Sequence, residues 1–173
     1  MLELDEYIRV YDNVLRKEFR DTIVERFRTS NLWLEDLSRG AETIDLADRE
    51  NRATHADIDE MLYRAVTNAS RLYSQDFPEI KIRRDIGYEL LRYNQNSIIE
   101  KDHAFLRAEP AVLFCSIALN EEYEGGEFMF AEGRTNRMIT AGTAIVFPAS
   151  FIYSYSVSPV RKGQRMSAVT WLM

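Results

Sequence analysis

The feature that most constrains this chain is a change of texture near Ile80. Before it, apolar residues recur at helical spacing; after it, they come in short β-prone runs divided by turn residues. Ile58, Met61, Leu62, Ala65, Val66, Ala69, Leu72 and Tyr73 keep an i, i+3, i+4 stripe that stops before Pro78, which predicts an amphipathic helix. Phe19, Ile23, Val24 and Phe27 predict another among Arg and Glu residues. Residues 7–15 read as a short strand. The polar stretch 38–55, which holds Gly40 and shows no sustained period, reads as a long surface loop. The β-prone runs lie at 88–93, 112–119, 127–130, 144–147, 153–157 and 166–173. Helices followed by many short strands predict an α+β chain, a two-sheet sandwich or jelly roll with the helices braced on one outer face.

At 173 residues, one domain is the expectation for 1–173, with helical support over about 1–80 and a β core over about 81–173. The formal charge is −6 and the basic residues are interspersed with acids, which argues against nucleic acid as a partner. No apolar run is long enough to span a bilayer, and residues 1–10 lack the basic and apolar regions of a signal peptide. A cytoplasmic protein is expected, or a virion component if the gene belongs to a phage. Cys115 is the single cysteine, so no intrachain disulfide forms, and its apolar neighbours mark it as a small core residue.

The second half carries ordered landmarks. They are Leu91-Arg92-Tyr93, then Asn120-Glu121-Glu122-Tyr123-Glu124-Gly125-Gly126-Glu127-Phe128, then Ala141-Gly142-Thr143-Ala144 leading to Phe147-Pro148. Val157-Ser158-Pro159-Val160 and Gly163-Gln164-Arg165-Met166-Ser167 complete them. Gly125-Gly126 suits a tight turn between strands, and Pro148 ends a ladder because it has no N–H to donate. In order and spacing the set resembles the prolyl 4-hydroxylase-like branch of the iron(II)/2-oxoglutarate oxygenases. The resemblance implies a double-stranded β-helix core, a cupin-like jelly roll, with two N-terminal helices packed on one sheet.

It also implies an iron site, built from a His-x-Asp pair after the first core strand and a distal His shortly before Val-x-Pro-Val. Aligned without gaps from Tyr93, the first His falls on Asp102 and its Asp on Ala104. Counted back from Val157, the distal His falls on Tyr155. A one-residue shift puts His103 in the first position and Phe105 in the carboxylate position. The other histidine, His55, lies in the polar stretch upstream and reads as a surface residue. No resident metal is therefore expected. Tyr155 with Asp102 as an oxygen-donor pair for ferric ion is the rival reading of the same replacements, and packing is the ordinary use of such a Tyr.

The family anchors the distal carboxylate of 2-oxoglutarate with a basic residue in an Arg-x-Ser pattern and a first-strand tyrosine. Arg165, Ser167 and Tyr93 stand at those positions, and a guanidinium with hydroxyls is suited to a carboxylate. Ordinary pairing of Arg165 with an acid is the plain alternative. Glu121, Glu122, Glu124 and Glu127 read as a solvated hairpin tip rather than a cation site. The resulting expectation is a non-catalytic oxygenase-like binding or assembly module, with a protein partner or self-association. Its rivals are an active iron(II)/2-oxoglutarate dioxygenase with an unorthodox site through Asp102, His103 or Tyr155, and a sensor of small organic acids.

Overall fold

The computed structural model describes residues 3–95 and 110–173, together with the backbone of 99–102. Helix α1 (Lys17–Arg28), the short α2 (Arg49–Thr54) and the long α3 (Ala56–Asp76) all precede the β core. Strands before it are β1 (Arg9–Tyr11), β2 (Leu34–Asp36) and β3 (Ala41–Asp45). Then follow β4 (Glu89–Tyr93), β5 (Ile99–Asp102), β6 (Leu113–Ala118), β7 (Tyr123–Gly125), β8 (Phe128–Phe130) and β9 (Thr135–Arg137). The chain closes with β10 (Ala144–Pro148), β11 (Tyr155–Val157), β12 (Val160–Gly163) and β13 (Arg165–Leu172).

The larger sheet runs β1-β10-β6-β13-β4-β3-β2, the smaller runs β5-β11-β8-β9, and β7 with β12 forms a ribbon. Side chains alternate across the larger sheet, as a pleat requires. Met166, Ala168 and Leu172 of β13 join Leu113, Cys115 and Ile117 of β6 in one apolar cluster with Ile58, Leu62, Ala69 and Tyr73 of α3. Val169 and Trp171 of β13, Phe114 of β6 and Phe147 of β10 join Phe128 and Phe130 of β8 and Tyr155 of β11 in a second. The first cluster cements the helices to the outer face. The second fills the space between the two sheets, the inside of the barrel. Each fully buried Leu, Ile or Phe contributes about 1.5–3 kcal/mol to this arrangement.

The helix expectations and the jelly-roll core agree with the structure. The stretch 38–55 does not: β3 and α2 lie within it. β3 is drawn into the larger sheet by β4, where Glu42 pairs with Arg92 in register and its carboxylate accepts two guanidinium hydrogen bonds at 2.7 Å. α2 starts at Asp48, whose carboxylate accepts from the backbone N–H of Glu50 and Asn51. His55, at the start of α3, sets its ring edge-on to Phe27 at 4.9 Å between centroids.

Two glycines show why the Gly125-Gly126 motif stands where it does. A Cβ on Gly125 would lie 2.0 Å from the Pro159 carbonyl oxygen, and one on Gly126 would lie 2.7 Å from Cδ of Arg165. The turn thus lets the β7–β12 ribbon close and leaves the Arg165 side chain its path into the barrel.

Candidate functional site

Period-two alternation on β13 aims Arg165 and Ser167 into the barrel, on the side of Val169 and Trp171. Arg165 sits opposite Tyr93 of β4. Its guanidinium carbon lies 5.1 Å from the Tyr93 ring centroid and 5.0 Å from that of Phe128, so the charge is sandwiched between two aromatic rings. Arg165 is 1% exposed, and neither its Nε nor its Nη2 has a hydrogen-bond partner among the described residues. The Oγ atoms of Ser167 and of Ser116, on the neighbouring β6, are also buried and unpartnered. Ser116 is a barrel-facing hydroxyl that no sequence motif singles out; its place between Phe114 and Ala118 on a strand is the signal that finds it.

The three residues expected to form a carboxylate anchor thus share one face of the barrel, and two of them, Tyr93 and Arg165, are in direct contact. Such unsatisfied buried donors are rare in native proteins, because each carries a desolvation penalty of about 1–3 kcal/mol. A guanidinium with hydroxyls beside it is chemically suited to a negatively charged oxygen group.

The other end of the barrel is apolar. Tyr155 is 4% exposed and packs its ring against those of Phe114, Phe128, Phe130 and Phe147, at centroid distances of 5.7, 5.5, 6.1 and 5.4 Å. Phe114 further touches Trp171 edge-on at 5.1 Å, and Phe130 meets Phe147 at 4.9 Å. β6 and β10 give one aromatic each to this cluster and β8 gives two, and as separate strands they give no hint that they converge. Asp102 of β5 pairs with Tyr155 across the smaller sheet. Its side chain, and all of His103, Ala104 and Phe105, lie outside the described residues.

No family model matches the sequence. A stretch of 54 residues is 41% identical to a PKHD-type hydroxylase of Alteromonas mediterranea, covering 30% of this chain and 23% of that protein. The match therefore spans about a quarter of that relative's length. Among solved structures, the chain superposes on a viral collagen prolyl hydroxylase from Paramecium bursaria Chlorella virus-1, solved as its 2OG complex. The TM-score is 0.73 at 17% identity, over 96% of this chain and 95% of that one. A Pseudomonas putida prolyl-4-hydroxylase gives 0.68 at 16% identity, over 96% and 91%. A Trichoplax adhaerens prolyl hydroxylase, solved with a hypoxia inducible factor peptide, gives 0.74 at 11% identity, over 96% and 83%. The fold is that of the prolyl-hydroxylase branch of the 2-oxoglutarate oxygenases.

Within an oxygenase fold, iron needs several preorganised nitrogen and carboxylate donors at one point. The residues at the corresponding positions do not fit it. At the positions that the motif spacing assigns to ligands, Tyr155 puts a phenol among four rings, and alanine, at 104, has no donor atom in its side chain. Among the described residues, no group of three or more His, Cys, Asp and Glu side chains is placed to hold a metal ion. One end of the barrel thus holds Arg165 with Ser167 and Ser116, and the other is packed with the aromatic side chains around Tyr155.

Proposed function

We propose that this chain is a non-catalytic member of the oxygenase superfamily, used as a binding or assembly module through its surface. The observation that carries this reading is Tyr155, buried among Phe114, Phe128, Phe130 and Phe147 at the distal ligand position. Aromatic pairs of this kind contribute about 0.5–1.5 kcal/mol each beyond area burial, so the ligand position has been turned over to stability. A jelly roll keeps its shape when its chemistry is gone, and its outer faces remain available to a partner or a second copy.

Elemental analysis of protein purified without chelators tests it. Iron, manganese and zinc well below one equivalent per chain are expected, together with no 2-oxoglutarate turnover when iron is added. Metal near one equivalent, held by the barrel, overturns the reading.

The unpartnered Nε and Nη2 of Arg165, with Ser167 and Ser116 beside them, favour a second reading: a receptor for a small organic acid. It predicts that short carboxylates raise the melting temperature without any metal, because a ligand that binds only the native state stabilises it by mass action. Weak or no binding of 2-oxoglutarate itself is expected, since the aromatic cluster occupies the metal end of its cavity.

A further inference from the structure

Outside the barrel, α3 and the extended segment 82–85 enclose a groove of about 320 Å³. One wall is polar: Thr67, Ser70, Arg71 and Ser74 succeed one another at i, i+3, i+4 and i+7, and therefore share a face of the helix. Arg83 stands on the opposite wall, and Val66, Ile82 and Leu172 line the groove between them.

The two arginines contrast with those that pair with an acid. Arg9, Arg26, Arg39, Arg52, Arg64 and Arg92 each hold a carboxylate, at 2.6 to 3.4 Å. Acids outnumber bases by 28 to 22, so a partner is easily come by. Yet Arg71 and Arg83 have no carboxylate partner among the described residues, and Arg71 donates to Asn68 Oδ1 at 3.0 Å instead. The acid of the groove, Asp85, already accepts from the Gly87 N–H at 2.9 Å and the Tyr88 hydroxyl at 3.1 Å. Against the one carboxylate of Asp85, the groove thus gathers the guanidiniums of Arg71 and Arg83 and three hydroxyls, in an acidic protein.

From this we infer that the groove is a phosphate-binding site. A carboxylate has two oxygens in one plane and is satisfied by one guanidinium fork. A phosphate has three terminal oxygens and up to two charges, which matches two guanidiniums on facing walls plus hydroxyls along one of them. The apolar residues would carry the body of an organic phosphate monoester; inorganic phosphate would use the polar wall alone. The inference is independent of what the barrel holds.

Titration of the whole chain in low-chloride buffer, with inorganic phosphate and with phenyl phosphate, followed by calorimetry and amide NMR, tests it. Saturable binding is expected, with shifts confined to 66–74 and 82–85. Phenyl phosphate binding about tenfold tighter or more assigns the site to an organic monoester, and equal affinities assign it to inorganic phosphate. Arg71→Ala with Arg83→Ala should weaken either ligand at least about tenfold, while Arg137→Ala, on β9 away from the groove, leaves both unchanged. Failure to saturate by about 20 mM, or unaltered binding in the double variant with its circular dichroism intact, overturns the inference.

Discussion

Tyr155 of β11 pairs with Asp102 of β5 across the smaller sheet, so two positions that the motif spacing assigns to iron ligands are neighbours in one sheet. Restoring a single imidazole at Tyr155 would place a polar ring among Phe114, Phe128, Phe130 and Phe147 without the partners an iron ligand requires. Tyr155→His is therefore expected to cost about 1–3 kcal/mol and to bind no iron. The combination Asp102→His, Ala104→Asp and Tyr155→His is expected to take up ferrous iron. Thermal melting and metal analysis check both halves, and iron bound by the single variant would contradict the argument.

The glycine turn gives an internally controlled prediction. Gly125 and Gly133 both have positive φ, at +87° and +85°, so alanine is strained at either. At Gly133 a Cβ meets nothing within 4 Å, whereas at Gly125 it lies 2.0 Å from the Pro159 carbonyl oxygen. Gly133→Ala should cost about 1 kcal/mol, the backbone effect alone, and Gly125→Ala about 3 kcal/mol or more, with loss of the β7–β12 pairing. Chemical denaturation of the two variants side by side measures the difference.

This contrast also marks what the sequence discloses. The stripe from Ile58 to Tyr73 and the alternation of β13 are written in local order, because a helix and a buried strand each impose a period on their own residues. β3 is not legible that way: Ala41, Glu42 and Asp45 are poor strand formers, and the strand is held where Glu42 and Arg92, 50 residues apart, meet in register. The candidate site divides along the same line. Arg165, Ser167 and Tyr93 stand in short motifs that a reader can find, whereas the aromatic cluster around Tyr155 takes one or two side chains from each of several strands. No single segment shows it, since only sheet pairing brings them together.

Burial of Cys115 makes stability fall at alkaline pH. Burial raises its thiol from an ordinary value near 9 to about 12. The native state holds that proton more tightly than the unfolded chain does, so this stabilisation is complete below about pH 9. It is lost as pH rises from there to about 12, at roughly 1.4 kcal/mol per pH unit. Burial raises the phenols of Tyr73 and Tyr88 as well, which steepens the fall above about pH 10. Denaturant midpoints at a series of pH values should decline accordingly. Cys115→Ala is expected to flatten the interval between about pH 9 and 10, whatever its own offset at neutral pH.

Arg165 presents the sharpest energetic question, because a buried guanidinium with two unpartnered nitrogens ought to weaken the fold that contains it. Its stacking on Tyr93 and Phe128 recovers part of the desolvation cost, at about 1–2 kcal/mol per cation–π contact, but leaves the nitrogens without acceptors. A methionine spans a similar length, keeps the contacts with both rings and has no donors to satisfy. Arg165→Met should thus leave stability unchanged or raise it by about 1–3 kcal/mol, which for a chain of this size shifts the melting temperature upward by about 2–12 °C. The opposite result has a distinct meaning. If the substitution lowers stability by about 3 kcal/mol or more, the guanidinium is satisfied in solution by an anion that the variant can no longer hold. Comparing melting temperatures of wild type and Arg165→Met with and without added acetate separates the two cases. A ligand-filled barrel responds to acetate only in the wild type, whereas an empty one responds in neither.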